Sequence, residues 1–184
     1  ITSISSRLKS SSSIMRKLDG KNLSFTLENV ENNLFDVAGI RVVCSYVDDI
    51  YMLAEALAKQ DDITVLKEKD YIKHPKSNGY RSYHMIVSVP VFFSDRTNNM
   101  AVEVQIRTIA MDFWASLEHQ LKYKQEVPNQ VEIVQQLSEC AEQIASVDRQ
   151  MWRLREQIEK SEDIPTEEEI LLEKLSRIDI AINE

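Results

Sequence analysis

Three glycines and four prolines in 184 residues leave few hinges, and a long disordered stretch is not expected. Nowhere do about 18 apolar residues run together, the length a membrane-spanning helix needs, so no span and no membrane partner is expected. The two cysteines, Cys44 in an apolar run and Cys140 in a helical stretch, suit a reducing cytoplasm better than a disulfide framework. Neither they nor the three histidines show zinc spacing. There is no glycine-rich phosphate loop, no serine triad and no internal repeat. No signal-peptide pattern opens the chain, and Ile1 in place of a methionine raises the expectation of residues upstream.

Acidity is unevenly spread. The formal charge of −8 speaks against a long polyanionic partner. Residues 1–124, however, hold 16 Lys/Arg against 15 Asp/Glu, whereas residues 125–184 hold 6 against 15. The front segment keeps enough positive charge to hold phosphates. With 43% hydrophobic residues the chain supports a real core, arranged as one domain plus a helical appendage.

The stretch 100–108, Met-Ala-Val-Glu-Val-Gln-Ile-Arg-Thr, alternates strictly. As a strand it turns Val102, Val104 and Ile106 to one face and Glu103, Gln105 and Arg107 to the other. A second apolar run, 34–46, carries Asp36 and Arg41. Ionised groups avoid such surroundings unless paired or bound to a cation. The alternative for either carboxylate alone is a buried ion pair with Arg41 or Arg107. Two strands each offering a carboxylate make the arrangement a divalent cation needs for phosphate chemistry.

Other elements fall around these two. Ser10 to Ser13 cap a helix beginning near Ile14, with Ile14, Leu18 and Met15 buried; flanked by Arg7 and Lys9, its start is a candidate phosphate site. Residues 21–33 read as a short helix or loop. A helix is predicted over 48–60, with Ile50, Leu53, Ala54 and Leu57 on one stripe, and strands over 63–70 and 83–91, the latter ended by Pro90. Between them Lys69, Lys73, Lys76 and Arg81 crowd a loop with Tyr71, Tyr80 and Tyr83, two histidines and the turn pair Asn78-Gly79. Such a loop fits a nucleotide, since tyrosine stacks on a base while cations hold phosphates. After a turn over 94–99 and the 100–108 strand, a helix is expected over 109–123 with Phe113, Trp114, Leu117 and Leu121 on its apolar side. Long helices follow over 129–160 and from Pro165 to about Ile182. His74 and His119 read as structural or solvated.

In the tail, Ile133, Leu137, Cys140, Ile144, Val147, Met151, Leu154 and Ile158 step by four and three, a heptad-like seam. Leu171, Leu175, Ile178 and Ile182 repeat that spacing. A homo-oligomer built largely through residues 129–182 is the expectation, with intrachain packing as the alternative.

Four ordered segments carry a resemblance: Phe-Asp-Val-Ala-Gly-Ile-Arg (35–41), Asp-Tyr-Ile followed by Asn-Gly-Tyr-Arg-Ser-Tyr-His (70–84), Val-Glu-Val-Gln-Ile-Arg-Thr (102–108) and Met-Asp-Phe-Trp-Ala-Ser-Leu-Glu-His (111–119). Together they resemble the synthetase domain of the RelA/SpoT superfamily, in the form of a small stand-alone alarmone synthetase. The resemblance implies an α+β fold, a nucleotidyltransferase-like mixed β-sheet flanked by helices with a C-terminal helical extension. The synthetase domain would occupy 1–124 and a helical oligomerisation segment 125–184. The activity implied is transfer of the ATP pyrophosphate to the 3′-hydroxyl of GTP or GDP, with AMP released.

Carried over residue by residue, Asp36 and Glu103 would hold Mg²⁺, and Glu103 would activate the hydroxyl. Arg7 and Arg41 would sandwich the adenine, with Lys9, Ser13 and Lys17 near the ATP phosphates. Tyr80 would stack on guanine, Lys69, Lys76 and His84 would face the guanosine phosphates, and Gln105 and Arg107 would complete the acceptor side. The resemblance favours a tetramer, the cysteines a cytoplasmic setting, and a regulatory nucleotide or RNA is a candidate further partner. Asp112 stands where several relatives have Asn, and the region of Ser3 lacks an aromatic that some carry. Both positions help form a product-binding cleft in some members, so these residues give product activation no support. Without a His-Asp metal pair, synthesis without hydrolysis is expected. Two other readings use the same residues: a nucleotidyltransferase that moves a nucleotide onto an acceptor, and a catalytically silent nucleotide- or RNA-binding regulator.

Overall fold

The structure is a computed structural model that describes residues 1–123 and 130–162, with side chains for 1–121 and 131–160. Five strands form one sheet in the order β1-β2-β5-β4-β3: β1 (Ser3–Leu8), β2 (Ala38–Cys44), β3 (Thr64–Asp70), β4 (Tyr83–Phe92) and β5 (Thr97–Thr108). The central β2–β5 pair is parallel and the remaining pairs are antiparallel, which makes the sheet mixed. Helices α1 (Ser11–Asp19), α2 (Leu27–Asn33), α3 (Val47–Ala58), α4 (Ile109–Tyr123) and α5 (Gln130–Glu162) surround it. The expected α+β class is what is observed.

One face of the sheet makes the core. Val42, Cys44, Met85, Val87, Val104 and Ile106 bury there with Ile50 and Ala54 of α3. That helix starts with acidic Asp48 and Asp49 in its first turn, where they favour the positive end of the helix dipole. The period-two pattern of β5 therefore sends its valines and Ile106 inward and leaves its polar residues on the opposite face.

Three expectations need correction, and one element was not foreseen. That element is the strand β1. Its side chains are all exposed, so no apolar alternation marks it, and backbone pairing from Ser3 opposite Val43 to Leu8 opposite Ala38 builds it. Helix α1 accordingly begins at Ser11, with the Ser10 side chain as cap to Ser13 N, and Met15 is exposed rather than buried. Pro90 does not end β4: it pairs with Asn99, beyond the point where β3 stops at Thr64 opposite Ser88, so its missing N–H costs no ladder bond on the β3 side. The tight turn shrinks to residues 93–96, closed by Phe93 N donating to Arg96 O at 2.8 Å.

The apolar side of α4 is the other surprise. Phe113, Leu117 and Leu121 are exposed, while Met111, Trp114, Ala115 and Glu118 are buried. The helix is turned by the pull of Trp114, which packs with Ala115 and Ala141 and with Leu137 and Ile144 of α5. On α5 the packed residues include Leu137, Ala141, Ile144, Ala145 and Asp148. Leu137 and Ile144 of the seam thus pack within the chain, whereas Val147, Met151, Leu154 and Ile158 are exposed. The chain divides into two compact units, Ile1–Asp148 and Arg149–Glu184. The second predicted tail helix, with Leu171 to Ile182, lies outside the described residues. Cys44 is buried, Cys140 is exposed, and both are free thiols. No described helix is long and apolar enough to cross a membrane.

Candidate active site on the polar face of the sheet

Strand register, more than proximity in sequence, assembles the polar face. Ser5, Arg41, Gln105, His84 and Lys69 stand opposite one another in a single row across all five strands. The next row brings Arg7, Gly39 and Glu103 into line. Two-residue periodicity puts Glu103, Gln105 and Arg107 on this same side. A cleft of about 170 Å³ opens between Ser5, Ser6, Arg7, Gly39, Ile40, Arg41 and Gln105. The side chain of Arg7 lies directly over Gly39, whose added Cβ would sit 3.4 Å from Arg7 Nε.

Asp36 falls just ahead of β2 and not within it, a correction to the buried-strand placement. Its Oδ2 accepts from Lys9 Nζ at 2.7 Å and from Lys17 Nζ at 2.6 Å. Burial pushes this carboxyl up, but the hydrogen bonds and charges of Lys17 and Lys9 outweigh it and hold the group below its ordinary value. The other oxygen, Oδ1, is buried and has no hydrogen-bond partner. Ser13 sits in the first turn of α1, where its hydroxyl accepts from Ser10 Oγ at 3.0 Å.

Glu103 is held differently. His84 Nδ1 lies 3.2 Å from its Oε1, and Gln105 Nε2 donates to its Oε2 at 3.1 Å. The His84 hydrogen bond, ahead of the burial that opposes it, keeps this carboxyl below its usual value; Asp36 is near enough to push it the other way. Arg7 Nη2 approaches within 4.0 Å.

Behind Glu103 runs a closed circuit of hydrogen bonds. Arg107 Nη2 donates to the Tyr80 hydroxyl at 2.7 Å and to Gln105 Oε1 at 3.1 Å. The Tyr80 hydroxyl, having accepted that bond, turns its own proton to His84 Nε2 at 2.8 Å. The His84 proton then rests on Nδ1, facing Glu103. Arg107 itself is 5% exposed, with Nη1 donating to Asp112 Oδ1 at 2.9 Å and Nε to Ser82 Oγ at 3.4 Å. Its donors point at protein groups, so it braces Tyr80 and Gln105 from behind. Asp112 also reaches Arg41 Nη1 at 3.5 Å.

The tyrosine loop is an aromatic box with cations in it. Lys76 Nζ lies 4.8 Å from the Tyr71 ring centre and 4.7 Å from that of Tyr80. Lys69 Nζ stands 5.9 Å from the Tyr71 ring, and Tyr80 meets Tyr71 edge-on at 5.9 Å. The box is fastened by Asp70, which accepts from Ile72 N, Lys73 N and the Tyr51 hydroxyl. His74 and His119 are exposed and stand apart from this face.

All thirteen residues singled out from the sequence lie in the first unit, and most converge on two centres. Arg7, Arg41, Glu103, Gln105, His84 and Lys69 meet on the sheet rows; Lys9 and Lys17 meet on Asp36. Tyr80, Lys76 and Arg107 gather round the end of β4, and Ser13 stays at the start of α1. Missed were Tyr71, Arg81, Ser82 and Glu118. Tyr71 and Arg81 were visible as members of the cation-rich loop, but nothing in the sequence tells which aromatic faces which cation.

Residues 6–128 match the family described as the region found in RelA / SpoT proteins, which is more than half of the chain. The chain belongs to the RelA/SpoT family. Among RelA/SpoT relatives it is 42% identical over 156 residues to the GTP pyrophosphokinase YwaC of Bacillus subtilis, covering 84% of this chain and 73% of that one. It is 36% identical over 161 residues to the GTP pyrophosphokinase YjbM of the same organism, covering 86% and 74%. Its fold matches the small alarmone synthetase 1 from Bacillus subtilis bound to its product pppGpp, with a TM-score of 0.78, 36% identity and coverage of 86% and 80%. The mixed sheet with flanking helices and a C-terminal helix is thus the RelA/SpoT architecture expected from the four motifs.

Proposed function

We propose that this chain is a (p)ppGpp synthetase. It transfers the β,γ-pyrophosphate of ATP to the 3′-hydroxyl of GTP or GDP and releases AMP. The observation that carries this reading is Glu103, held by His84 and Gln105, on a sheet face flanked on one side by cations and on the other by an aromatic box. Relatives named GTP pyrophosphokinase and a solved relative bound to pppGpp support it.

A ribose hydroxyl is a poor nucleophile near neutral pH, and Glu103 takes its proton as the bond to phosphorus forms. The Nδ1–H of His84 keeps one carboxylate oxygen oriented while the other faces Gln105. Lys9 and Lys17 neutralise the ATP phosphates, and a guanidinium such as Arg7 or Arg41 stacks on adenine as well as carrying charge. Tyr80 presents its ring to guanine, with Lys76 and Lys69 toward the guanosine phosphates.

The carboxylates fit Mg²⁺. That ion is bound through one or two carboxylates plus substrate phosphates, and the buried, unpartnered Oδ1 of Asp36 is such a ligand atom. Asp36 and Glu103 would hold it. When bound it supplies charge neutralisation on the transferred group, the main need of phosphoryl transfer.

ATP and GTP as substrates, with two free thiols, support a cytoplasmic setting. The half-exposed run Val147, Met151, Leu154 and Ile158 supports a homo-oligomer, a tetramer by family likeness. The division into a synthetase domain over 1–124 and an assembly segment over 125–184 follows the charge split.

The test is chromatography of ATP and GDP incubated with Mg²⁺. AMP and a guanosine tetraphosphate should form in equal amounts. Free pyrophosphate with a nucleotidylated acceptor would replace this reading by nucleotidyl transfer, and no turnover would leave a silent binder.

A further inference from the structure

Helix α5 backs the very loop that carries Tyr80. Gly79 has φ +86°, and a Cβ there would collide with the Cβ of Ala141, while Ser138 Cα would be 3.2 Å away. Loop and helix therefore touch backbone to backbone, which only small residues on both sides permit. Arg81, two residues on, has a side chain only 11% exposed and fastens the contact. Its Nη1 donates to Gly79 O and to Ala141 O, both at 3.3 Å. Its Nη2 donates to Glu142 Oε1 at 2.6 Å.

Further ties hold the same side of the loop. Trp114 Nε1 donates to Leu137 O at 3.0 Å, and the Trp114 ring packs 6.4 Å from that of Tyr80. Asn78 Nδ2 donates to Glu118 Oε1 at 3.0 Å while its Oδ1 accepts from Tyr80 N. At the far end of the contact, Thr108 Oγ1 donates to Asp148 Oδ2 at 2.6 Å, pinning α5 to the last residue of β5. None of these groups faces the cleft at Arg7 and Arg41.

We propose that the 137–148 face of α5 positions the acceptor loop, with Arg81 and Glu142 as the positioning pair that sets affinity for the guanosine nucleotide and leaves ATP affinity alone. This rests on the reading of Tyr80 as the acceptor contact. The loop must hold Tyr80 and Lys76 in one geometry before the nucleotide arrives, and ordering it on binding would weaken the complex. Arg81 reaches the helix carbonyl and the Glu142 carboxylate with one planar group, which a lysine could not do.

Calorimetric titration of the intact protein with GDP, and separately with a non-hydrolysable ATP analogue, tests it. In Glu142→Ala and Arg81→Glu, GDP affinity should fall by about tenfold while analogue affinity changes by less than about twofold. Glu142→Gln, which keeps an acceptor for Arg81 Nη2, should retain most of the GDP affinity that Glu142→Ala loses, which a general loss of packing would not allow. Because the Glu142 side chain is 62% exposed, Glu142→Ala decides the matter even if Arg81→Glu does not fold. Equal weakening of both nucleotides, or no change in either, overturns the proposal. Tyr80→Ala run alongside separates the two readings. If it weakens GDP while Glu142→Ala does not, only the positioning role fails; if it leaves GDP untouched, the acceptor assignment fails and the proposal with it.

Discussion

Asp36 and Glu103 are both carboxylates below their ordinary pKa, yet the protein holds them by opposite means. Asp36 sits in a loop and is neutralised by two lysines on a single oxygen, with the second oxygen left bare. Glu103 sits on the central strand and is gripped on both oxygens by His84 and Gln105, which are tied in turn to Tyr80 and Arg107. Under the proposed reaction, the contrast would separate two jobs. Lysines on flexible stems can be given up to incoming phosphates, freeing Asp36 for a cation. A base needs a fixed direction, and a closed circuit backed by a buried guanidinium provides one.

Breaking the gripped carboxylate should do most damage. Glu103→Ala is expected to lower kcat by about 10²–10⁴-fold, the range for losing a general base. Far-UV circular dichroism should remain that of the parent, because Glu103 belongs to neither buried cluster. Asp36→Asn should also bring product formation to background, but with a different signature: tightening of ATP binding by Mg²⁺, measured by titration with and without the ion, should vanish. Retention of that Mg²⁺ effect would show that Asp36 is only an anchor for Lys9 and Lys17.

The brace behind Glu103 should matter to stability. Arg107→Met strips Asp112, Tyr80 and Gln105 of a buried partner at once and should lower unfolding free energy by about 3 kcal/mol, read from denaturant melts. Lys17→Met, at the other carboxylate, should scarcely move the melt, since that ammonium is much more exposed.

Tyr80 can be divided into ring and hydroxyl. Tyr80→Ala should weaken GDP by ~1–3 kcal/mol, the worth of one stacked base, with ATP little changed. Tyr80→Phe should keep that affinity while lowering kcat, because the hydroxyl that orients His84 is gone. A Phe variant with full kcat would show that the circuit matters for folding alone.

The smallest effect concerns the exposed run on α5. Met151→Glu/Leu154→Glu should shift the mass seen by light scattering and leave the melt of the first unit nearly unchanged. Leu137→Glu, in contrast, attacks packing against Trp114 and should destabilise a monomer just as much as an assembly.

Much of this was legible in the residues. The alternation at 102–107 predicted a strand with Glu103 and Gln105 on its polar side, and the Asn78-Gly79 turn with its tyrosines predicted the loop where aromatic rings and cations meet. Four motifs in order led to the family. Strand β1 escaped because an edge strand with every side chain exposed has no hydrophobic period to read. The face of α4 was misjudged because Phe113, Leu117 and Trp114 are all apolar, and helical periodicity cannot say which of them will find a partner.

By itself, then, the sequence determined the types of the periodic elements, the one-sided core of the sheet and the identity of the chemical groups, since these follow from local periodicity and side-chain chemistry. Only the tertiary structure decided that Arg41, Gln105, His84 and Lys69 share a row, and that Arg107 looks inward to Tyr80. It also decided that α5 spends Ala141 and Glu142 on the loop that carries Tyr80. Register and helix rotation are set by how distant surfaces fit together, and no single segment contains that fit.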